Sequence, residues 1–482
     1  MCATVISIAG TDSSGGAGIQ ADIRTMERLG VTGSAVITAV TAQSSYDVDR
    51  IDHQDPGSVR AQLISAFEGK HPDAVKIGMP GSADSIRVIA EVLGPTDVFV
   101  VCDPVVSASS GGRLIDTSAQ NALIDELFPR ANLVTPNLAE AQTILRKEIS
   151  TDEEIEEAGS LLLELGSASV LIKGGHGKGS YVQDYWTNGQ ASFWMTGNRV
   201  EGEGSRGTGC VLSSAIASFC ALGLPLSDAL VLAKAYVSEG LRAAAGPGSA
   251  NCPLHTGNWP SDPEDFPWVT LTAEAGRDRP TFPTCDPPPV GLYPILPDAG
   301  WVERLAAAGL SAMQLRIKDP TTENLESQIQ RALDCTRETE TRLYINDHWE
   351  LAIRHGAYGV HLGQDDLDPR ALRALADAGI RLGLSTHSFF ELARALSVNP
   401  SYVAIGTLFH STSKVMNYEP LGLDRLRQIS SLSPFPVVAI GGIQFEHAIA
   451  VRQAGATGMA VISEVTESPD PEATVRKWKN LD

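Results

Sequence analysis

The sequence of 482 residues lacks several features that would place it in common classes of protein. Its seven cysteines are scattered, odd in number and never spaced as Cys-x-x-Cys, so neither a disulfide framework nor a zinc knuckle is expected. It has no uninterrupted apolar run of membrane-spanning length, and its first residues, MCATVISIAGTD, lack the basic region and cleavage site of a targeting peptide. These absences predict a protein of the reducing cytoplasm.

Positive charge is also in short supply. Lysine and arginine number 37 against 58 aspartates and glutamates, so the formal net charge is -21. Such an excess repels nucleic acid and anionic membranes, so neither is expected as a partner, whereas small anionic substrates can bind through local basic residues. The pattern GxxxxGK followed by Ser or Thr is absent as well, so phosphoryl transfer would need another scaffold.

Proline divides the chain. Residues 247–290 contain ten of the 28 prolines, and such a stretch stays extended and semi-rigid. We predict a first domain over residues 1–258, a proline-rich linker over 259–290 and a second domain over 291–482. The length of the chain and its hydrophobic content of 43% fit globular domains.

The second domain alternates short apolar, β-rich runs with segments of helical periodicity. Eight runs are predicted strands: 291–296, 312–317, 342–347, 359–363, 381–386, 402–409, 436–442 and 458–463. Strands that alternate with helices form a parallel sheet, and eight units indicate a closed (β/α)8 TIM barrel.

The first domain also alternates. Its predicted strands are 4–9, 35–42, 74–79, 98–106, 133–137, 170–174, 181–187 and 191–195. Asn188-Gly189 between the last two runs is a hairpin signal, and helical patterns follow at 209–222 and 225–244. We predict an α/β domain of three αβα layers, in which a mostly parallel open sheet has an antiparallel edge.

Polar residues follow the strands of the predicted barrel, where this fold builds its active sites. Gln314, Arg316 and Lys318 alternate onto one side of the second strand and suit a diphosphate. Asp347 ends the third strand and Asp366 follows the fourth, and carboxylates beside phosphate-binding cations favour Mg²⁺. The alternative is an internal salt-bridge network.

The later strand ends carry hydroxyls and glycines. Ser385 lies at the end of the fifth strand, a hydroxyl-rich loop at 411–414 follows the sixth, and Gly442 and Ser463 end the last two. Loops after the seventh and eighth strands are the usual phosphate site of this fold. We therefore predict a monophosphate site in addition to the Mg²⁺-assisted diphosphate site.

QLRIKD, YINDHWELAI, GVHLGQDDL, GLSTH and VAIGGI resemble thiamine-phosphate synthases across essentially all of 291–482. That family joins a hydroxymethylpyrimidine diphosphate to a thiazole phosphate and releases pyrophosphate. The resemblance implies a diphosphate-pyrimidine site at Gln314, Leu315, Arg316, Ile317, Lys318, Asn346, Ser385 and Lys414. It implies Mg²⁺ at Asp347 and Asp366, and thiazole phosphate at Ser411, Thr412, Ser413, Gly442, Ile462 and Ser463. The family's Pro-Thr-x-Thr-Lys loop is His410-Ser411-Thr412-Ser413-Lys414 here, so both hydroxyls remain.

Polar groups also gather where strands of the first domain stop, in the crevice expected of an open α/β sheet. Asp103, Asn137 and Lys173 each follow a predicted strand. A glycine-rich bend at 207–209 opens a helix, and the exposed N–H groups there suit a phosphate. Cys210 comes next; its residue type alone allows a nucleophile, an acid or base, a redox thiol or a buried packing group.

AGTDSSGGAGIQAD, TAQSS, KIGMP, CDPVVSASSG, TPNLAEA, LIKGGH and RGTGCVLSSAI resemble the hydroxymethylpyrimidine (phosphate) kinases of the ribokinase superfamily, over about 1–258. The resemblance implies a ribokinase-like fold and ATP as co-substrate. It implies a pyrimidine site at Asp22, Gln43 and Met79, and catalysis at Lys173 and Cys210. It implies phosphate, ATP and Mg²⁺ contacts at Asp103, Asn137, Glu140, Gly207, Thr208 and Gly209. Members often carry histidine before Gly-Thr-Gly-Cys, whereas this chain has Arg206.

This context narrows the role of Cys210. Redox and metal roles lack a partner, and direct transfer from ATP needs no covalent nucleophile. A base remains, and near a helix N-terminus the pKa of a thiol is expected to fall from about 8.5 toward neutral. We hypothesise that Cys210 accepts the proton of the substrate's hydroxymethyl group.

The two resemblances cover successive steps of thiamine biosynthesis, so we predict a bifunctional transferase with small-molecule substrates. A homo-oligomer is compatible with the sequence. One alternative is that a single half is catalytic while the other senses a ligand or acts as a scaffold. Another is a kinase for a pyridoxal-type ring, although Gln43 and Met79 favour a pyrimidine.

Overall fold

The computed structural model of the chain divides into two compact units, Met1–Arg277 and Asp278–Asp482. The structure describes residues 2–44, 47–69, 71–106, 115–175, 179–200, 206–245, 253–254, 257–277, 279–319, 321–322, 324–410 and 419–481. Over these residues, none of the helices combines the length and apolar character that crossing a membrane requires.

The first unit is an open α/β sheet. Its described strands are β1 (Thr4–Ala9), β2 (Thr32–Ile37), β3 (Ala39–Gln43), β4 (Val48–His53), β5 (Ala74–Ile77), β6 (Phe99–Cys102), β7 (Leu133–Val134), β8 (Val170–Ile172), β9 (Tyr181–Thr187), β10 (Ser192–Asn198) and β11 (Trp268–Thr270). Its described helices are α1 (Gly18–Arg28), α2 (Pro56–Gly69), α3 (Ala83–Leu93), α4 (Thr117–Ala122), α5 (Leu138–Leu145), α6 (Asp152–Leu163), α7 (Thr208–Ala221), α8 (Leu226–Ala244) and α9 (Ala273–Arg277).

Nine strands form one sheet in the order β11-β10-β9-β8-β7-β6-β5-β1-β2. The strands from β2 to β8 are parallel, and β8 to β11 form the antiparallel edge that the sequence predicts. β5 and β8 are buried at every position and β1 at all but its first, as expected of strands covered by helices on both faces. The Asn188-Gly189 hairpin is confirmed, with Gly189 at a φ of 81°.

The predicted strand 35–42 is wrong, because the chain leaves the sheet at Thr38. The Thr38 side chain is fully buried, and its Oγ1 donates to the Met79 carbonyl over 2.7 Å. β3 then pairs with β4 in a separate antiparallel ribbon. β4 was not predicted, since its sequence VDRIDH is mostly polar.

The segment predicted as a linker, 259–290, is partly built into the first unit. β11 pairs with β10, and the Trp268 Nε1 donates to the Gly276 carbonyl over 2.7 Å. Arg242 of α8 forms an ion pair of 2.6 Å with Asp265. The boundary between the units therefore falls at residues 277–278 rather than at 258.

The second unit is a closed eight-stranded parallel barrel, as the sequence predicts. Its described strands are β12 (Gly291–Leu296), β13 (Ala312–Leu315), β14 (Arg342–Asn346), β15 (Gly359–Leu362), β16 (Arg381–Thr386), β17 (Tyr402–Gly406), β18 (Val437–Ile440) and β19 (Gly458–Val461). Its described helices are α10 (Ala299–Leu305), α11 (Leu325–Thr336), α12 (Trp349–Arg354), α13 (Pro369–Asp377), α14 (Phe389–Val398), α15 (Gly422–Leu432), α16 (Ala448–Gln453), α17 (Ser463–Thr466) and α18 (Pro471–Lys479).

Tyrosines fill much of the barrel interior. Tyr293, Tyr344 and Tyr402 are buried there and meet edge to face, with ring centroids 5.2–6.1 Å apart. Gly383 makes room for them, since a Cβ there would lie 2.2 Å from the Tyr402 ring. Cys285, from the predicted linker, lies 3.0 Å from the Tyr344 hydroxyl, so the chain just before β12 belongs to the barrel.

A truncation test follows from this boundary. A fragment ending at residue 258 should be much less stable than one ending at 277, because it loses β11 and the buried side chains of Phe266, Trp268 and Val269. At ~1.5–3 kcal/mol for each buried side chain, the loss is several kcal/mol, or roughly 10 °C in melting temperature. Calorimetry of both fragments checks this; equal melting temperatures would make 259–277 a mere spacer.

Candidate active sites

A cavity of about 760 Å³ lies at the carboxyl ends of the parallel strands of the first unit. Ten of the residues predicted for this site line it: Gln43, Met79, Asp103, Asn137, Glu140, Lys173, Gly207, Thr208, Gly209 and Cys210. The eleventh, Asp22, does not. The strand ends thus meet around one space, as expected of an open α/β sheet.

Asp103 and Lys173 form an ion pair at the centre of the cavity wall. The Lys173 Nζ lies 2.7 Å from the Asp103 Oδ1, which also accepts from the Thr135 hydroxyl over 3.1 Å. A Cβ on Gly209 would lie 3.3 Å from both Asp103 and Lys173, so the pair lies against the start of α7. A carboxylate and an ammonium therefore flank the N–H groups of a helix N-terminus, a setting suited to a phosphate with a cation.

Asn137 and Glu140 begin α5 with reciprocal hydrogen bonds. The Asn137 N–H donates to the Glu140 carboxylate over 2.7 Å, and the Glu140 N–H donates to the Asn137 side chain over 2.9 Å. Burial raises the pKa of Glu140 to about 7; Lys173 opposes this rise and Asp103 adds to it. Besides lining the cavity, the two residues thus stabilise α5 as a capping box.

Asp22 lies beneath the cavity rather than in its wall. Its side chain is fully buried and forms an ion pair of 2.8 Å with Lys76, which is also fully buried. The hydroxyls of Ser7 and Ser214 donate to the same carboxylate over 2.5 and 2.8 Å. Three donors from the protein thus bind the Asp22 carboxylate, and its place in a pyrimidine site stays a prediction.

Lys76 is a cavity residue that sequence reasoning missed. It lines the cavity from β5, where it stands in the buried run AVKI. Nothing in that run distinguishes a lysine facing a site from one facing solvent. The one sequence signal was that Lys76 stands within a hydrophobic strand, because a buried lysine requires a charged or hydrogen-bonding partner.

The bend before α7 has the backbone that its glycine predicts. Gly207 has a φ of 79°, and a Cβ there would lie 2.1 Å from the Gly16 carbonyl oxygen. The glycine-rich loop before α1 therefore packs directly on the bend. Thr208 and Gly209 are the first two residues of α7, whose N–H groups have no helical partner.

The expected low pKa of Cys210 is wrong. Burial raises the pKa of the thiol to about 11, and the carboxylates of Asp22 and Asp103 add to the rise. The charge of Lys76 and a hydrogen bond from the Gly18 N–H act in the opposite direction but do not prevail. The thiol is therefore protonated at neutral pH in the protein as it stands.

In the barrel, the alternating pattern of β13 separates site residues from core residues. Gln314 points inward, and its Nε2 donates to the Tyr293 hydroxyl over 3.4 Å. Arg316 follows on the same side and is half-buried, and Lys318 is exposed. The side chains of Leu315 and Ile317 are buried in the core, so only their backbone is free to contact a ligand.

Asp347 and Asp366 act on each other electrostatically. Burial raises the pKa of Asp347, and the negative charge of Asp366 raises it further, while Arg316 and a hydrogen bond with Asn346 act to lower it. Asp347 also has a φ of 64°, an uncommon conformation outside glycine that is frequent at functional sites. Two carboxylates that repel each other fit a divalent cation placed between them.

A chain of hydrogen bonds runs from the barrel core to Ser385. The His361 Nε2 lies 3.0 Å from the Ser385 hydroxyl, and its Nδ1 lies 2.9 Å from the Tyr402 hydroxyl, which lies 2.9 Å from that of Tyr293. Burial and the nearby Arg316 lower the pKa of His361 to about 4, so the ring is neutral at neutral pH. Sequence reasoning missed His361, although GVHLGQDDL places this histidine inward on β15.

The predicted thiazole-phosphate site is only partly described. Gly442 has a φ of 64°, and a Cβ there would lie 2.5 Å from the His410 carbonyl oxygen. Ile462 packs against the barrel interior and Ser463 begins α17. Ser411, Thr412, Ser413 and Lys414 lie outside the described residues.

Within the described ranges, no cluster of three or more His, Cys, Asp or Glu side chains is arranged to hold a metal ion. In proteins, Mg²⁺ is usually held by one or two carboxylates together with waters and substrate phosphates.

Comparison with known proteins agrees with both halves. The family model for phosphomethylpyrimidine kinase matches residues 12–255, and that for thiamine monophosphate synthase matches 294–465. A probable thiamine biosynthetic bifunctional enzyme, chloroplastic, of Oryza sativa is 32% identical over 99% of this chain and 88% of its own length. The thiamine-phosphate synthase of Serratia proteamaculans is 49% identical over 40% of this chain and 92% of its own.

Among solved structures, a pyridoxal kinase from Staphylococcus aureus matches the first unit. The TM-score is 0.51 and the identity 26%, over 56% of this chain and 99% of that one. The likeness agrees with the ribokinase-like fold predicted for this half.

The two units define a two-domain enzyme of phosphate chemistry, in which a ribokinase-like kinase precedes a phosphate-binding (β/α)8 barrel. The chain belongs to the family of bifunctional thiamine-biosynthetic enzymes, in which one polypeptide carries a phosphomethylpyrimidine kinase and a thiamine-phosphate synthase.

The Lys76–Asp22 pair yields a stability prediction. Asp22→Asn should lower the free energy of unfolding of the first unit by ~3–5 kcal/mol, because it leaves Lys76 buried without a counter-charge. Adding Lys76→Met should recover most of that loss. Chemical denaturation measures both; an unchanged stability with a raised KM for the pyrimidine would instead place Asp22 in the substrate site.

The His361 chain yields a second prediction. Tyr402→Phe should lower kcat/KM of the synthase reaction ~3- to 10-fold, because His361 loses the hydrogen bond that orients it toward Ser385. Tyr358→Phe is the matched control, since the buried Tyr358 hydroxyl has no hydrogen-bond partner among the described residues. Equal effects of the two substitutions would show that packing alone matters.

Proposed function

We propose that the first unit uses ATP to phosphorylate 4-amino-5-hydroxymethyl-2-methylpyrimidine and then its monophosphate. The barrel couples the resulting diphosphate to thiazole phosphate, which gives thiamine phosphate and pyrophosphate. The observation that carries this proposal is the convergence of acidic and basic groups in each unit, joined in the kinase by the N-terminus of α7. The family to which both halves belong supports the assignment.

In the kinase, the described residues divide into three groups. Lys173 and the N–H groups of 207–209 would bind the transferring phosphoryl group of ATP. Asp103, Asn137 and Glu140 would hold Mg²⁺, which when bound screens the charge of the ATP phosphates. Gln43 and Met79 would contact the pyrimidine ring.

Cys210 would act as the base of the first transfer. The hydroxymethyl proton passes to the Cys210 thiolate while the new O–P bond forms and the bond between ADP and the γ-phosphorus breaks. Lys76 supports the thiolate, since its charge acts to lower the pKa of Cys210. The thiolate is the minor form at neutral pH, so the reaction should accelerate in alkaline solution.

In the barrel, cleavage of a C–O bond precedes formation of a C–N bond. The aminopyrimidine stabilises the carbocation left when pyrophosphate departs, and the thiazole nitrogen then attacks it. Gln314, Arg316, Lys318 and Lys414 would bind the diphosphate, and Ser385 the pyrimidine. Asp347 and Asp366 would hold Mg²⁺, which when bound neutralises the leaving group. No general base is required, so holding the reactants in line is the main task of the protein.

The thiazole phosphate would lie on the other side of the barrel mouth. Gly442, Ile462 and Ser463 would contact it together with Ser411, Thr412 and Ser413. A homo-oligomer, the absence of nucleic-acid and membrane partners and a cytoplasmic location stay predictions. The Oryza relative is described as chloroplastic.

The proposal is tested by supplying the pure protein with hydroxymethylpyrimidine, ATP, Mg²⁺ and thiazole phosphate. Thiamine phosphate, ADP and pyrophosphate should accumulate. A pyridoxal arm is run in parallel, because the first unit is similar in fold to a pyridoxal kinase. Turnover of pyridoxal alone, without the pyrimidine, would overturn the proposed substrate.

Cys210→Ala should abolish phosphorylation of the hydroxymethylpyrimidine, at least 100-fold, because the base is lost. Coupling of preformed diphosphate by the barrel should be unchanged, which controls for enzyme quality. Product analysis by chromatography separates the two reactions. Full kinase activity in this variant would return Cys210 to a packing role.

The pH profile tests the same role in the unmodified protein. Because the pKa of Cys210 is about 11, the thiolate fraction rises about tenfold per pH unit below that value. The logarithm of kcat for the first phosphorylation should therefore rise between about pH 7 and 9.5, with a slope approaching one. A flat profile would exclude the thiolate as the base.

A further inference from the structure

Arg206 is a cavity cation that the mechanism above does not use. It directly precedes the bend at 207–209, and its side chain lines the cavity with 11% exposed. Its Nη1 donates to the Ser14 hydroxyl over 3.0 Å and to the Ser44 carbonyl. Both acceptors are neutral, so they orient the guanidinium without cancelling its charge.

Asp12 is the carboxylate paired with Arg206, but at a distance longer than a hydrogen bond. The Asp12 Oδ2 lies 3.7 Å from the Arg206 Nη2. The same carboxylate accepts the N–H groups of Ser14, Gly16 and Ala17 over 2.8–3.0 Å. Asp12 therefore mainly accepts hydrogen bonds from the loop before α1. The guanidinium of Arg206 keeps N–H groups that can donate to another acceptor.

The lysines of this cavity are neutralised at closer range. Their ion pairs are Lys76–Asp22 at 2.8 Å, Lys173–Asp103 at 2.7 Å and Lys234–Asp184 at 2.7 Å. Arg199 lacks such a pair as well, but its guanidinium donates to backbone carbonyls of Gly175, Gly179 and Tyr181, around the start of β9. Among the described lining residues, Arg206 is the cation that adjoins the bend and has no carboxylate within hydrogen-bond distance.

Arg206 lies at the end of the cavity where the substrate that accepts the phosphoryl group is expected to bind. Ser44 follows Gln43, which is expected to contact the pyrimidine, and Gln43 and Ser13 exchange hydrogen bonds of 2.7 and 2.8 Å. Arg206 therefore lies between the pyrimidine residues and the bend that receives the transferring phosphoryl group. This is where the hydroxymethyl group, and after the first transfer its phosphate, would lie.

We propose that Arg206 binds the phosphate of the pyrimidine monophosphate and so favours the second phosphorylation. The proposal rests on the proposed function of the first unit. The first acceptor is an uncharged alcohol, whereas the second carries between one and two negative charges at neutral pH. Arginine binds phosphate through charge-assisted, often bidentate hydrogen bonds and stays protonated throughout.

Steady-state kinetics of the full chain test this, with saturating Mg²⁺-ATP and each acceptor supplied separately. For Arg206→Gln, the ratio of kcat/KM for the monophosphate to that for the alcohol should fall ~10- to 100-fold, the usual effect of losing a hydrogen bond to a charged group. Arg206→Lys, which keeps the charge but not the fork, should give an intermediate ratio. An unchanged ratio, or an equal fall in kcat/KM for both acceptors, would show that Arg206 has only a structural role and would overturn the proposal.

Two matched variants separate the effect of the Arg206 charge from the effect of its structural contacts. Ser14→Ala removes one of the two hydrogen bonds that orient Arg206 and keeps its charge, so the ratio should stay within about threefold of the unmodified protein. Arg199→Gln removes a cavity cation away from the bend and should not shift the ratio toward the alcohol. A shift as large in either variant as in Arg206→Gln would overturn the proposal.

Salt dependence tests the proposal without any substitution. Because salt screens charge, kcat/KM for the monophosphate should fall more steeply with added KCl than kcat/KM for the alcohol. Equal slopes would contradict a charged contact to the acceptor. If the unmodified protein phosphorylates neither acceptor, the proposed function itself fails, which is a different result from an unchanged ratio.

Discussion

The buried ion pair between Lys76 and Asp22 connects the elements that form the wall of the kinase cavity. Lys76 belongs to β5 and Asp22 to α1, and the same carboxylate accepts from Ser7 of β1 and Ser214 of α7. Four elements thus meet at one group. Separating the charges would leave a bare ion in a low-dielectric interior, which costs several kcal/mol. The start of α7, with its glycine-rich bend and Cys210, is therefore held firmly against the sheet.

The barrel orients its site by a different means. His361 is neutral, and its neighbours Tyr402, Tyr293 and Ser385 are uncharged hydroxyls, so the chain needs no buried counter-ion. A buried neutral network is stable only when its members satisfy one another, and here each hydroxyl has a partner. Arg316, Asp347 and Asp366 directly follow or lie beyond the carboxyl ends of their strands and bring charge there. This division separates the neutral network of the interior from the ionic groups at the strand ends, where we propose that the diphosphate binds.

Hydrophobic periodicity was enough to predict the barrel and the parallel sheet, because repeated strand and helix patterns specify their own order. It located only some strand ends: β12 and β16 end where predicted, whereas the other six barrel strands finish one to three residues before the predicted points. β4 and β11 escaped notice because VDRIDH is mostly polar and WVT lies in a proline-rich stretch. Ten of the eleven candidate residues of the kinase site line its cavity. Asp22 instead contacts buried partners, and the sequence does not distinguish such a helix position from one that faces a substrate.

The junction between the two enzymes has a consequence for how such a chain can be rearranged. The residues up to Arg277 complete the kinase sheet, and Cys285 already contacts the barrel core. Most of the proline-rich stretch therefore packs with either the kinase or the barrel, and few of its residues act only as a connection. Swapping either enzyme for a homologue would succeed only with a cut near residue 278, and a cut at the first prolines would take the last strand of one enzyme along with the other. The true connection between the two enzymes is short, and it lies within the longer segment, 259–290, that composition alone predicts to be a linker.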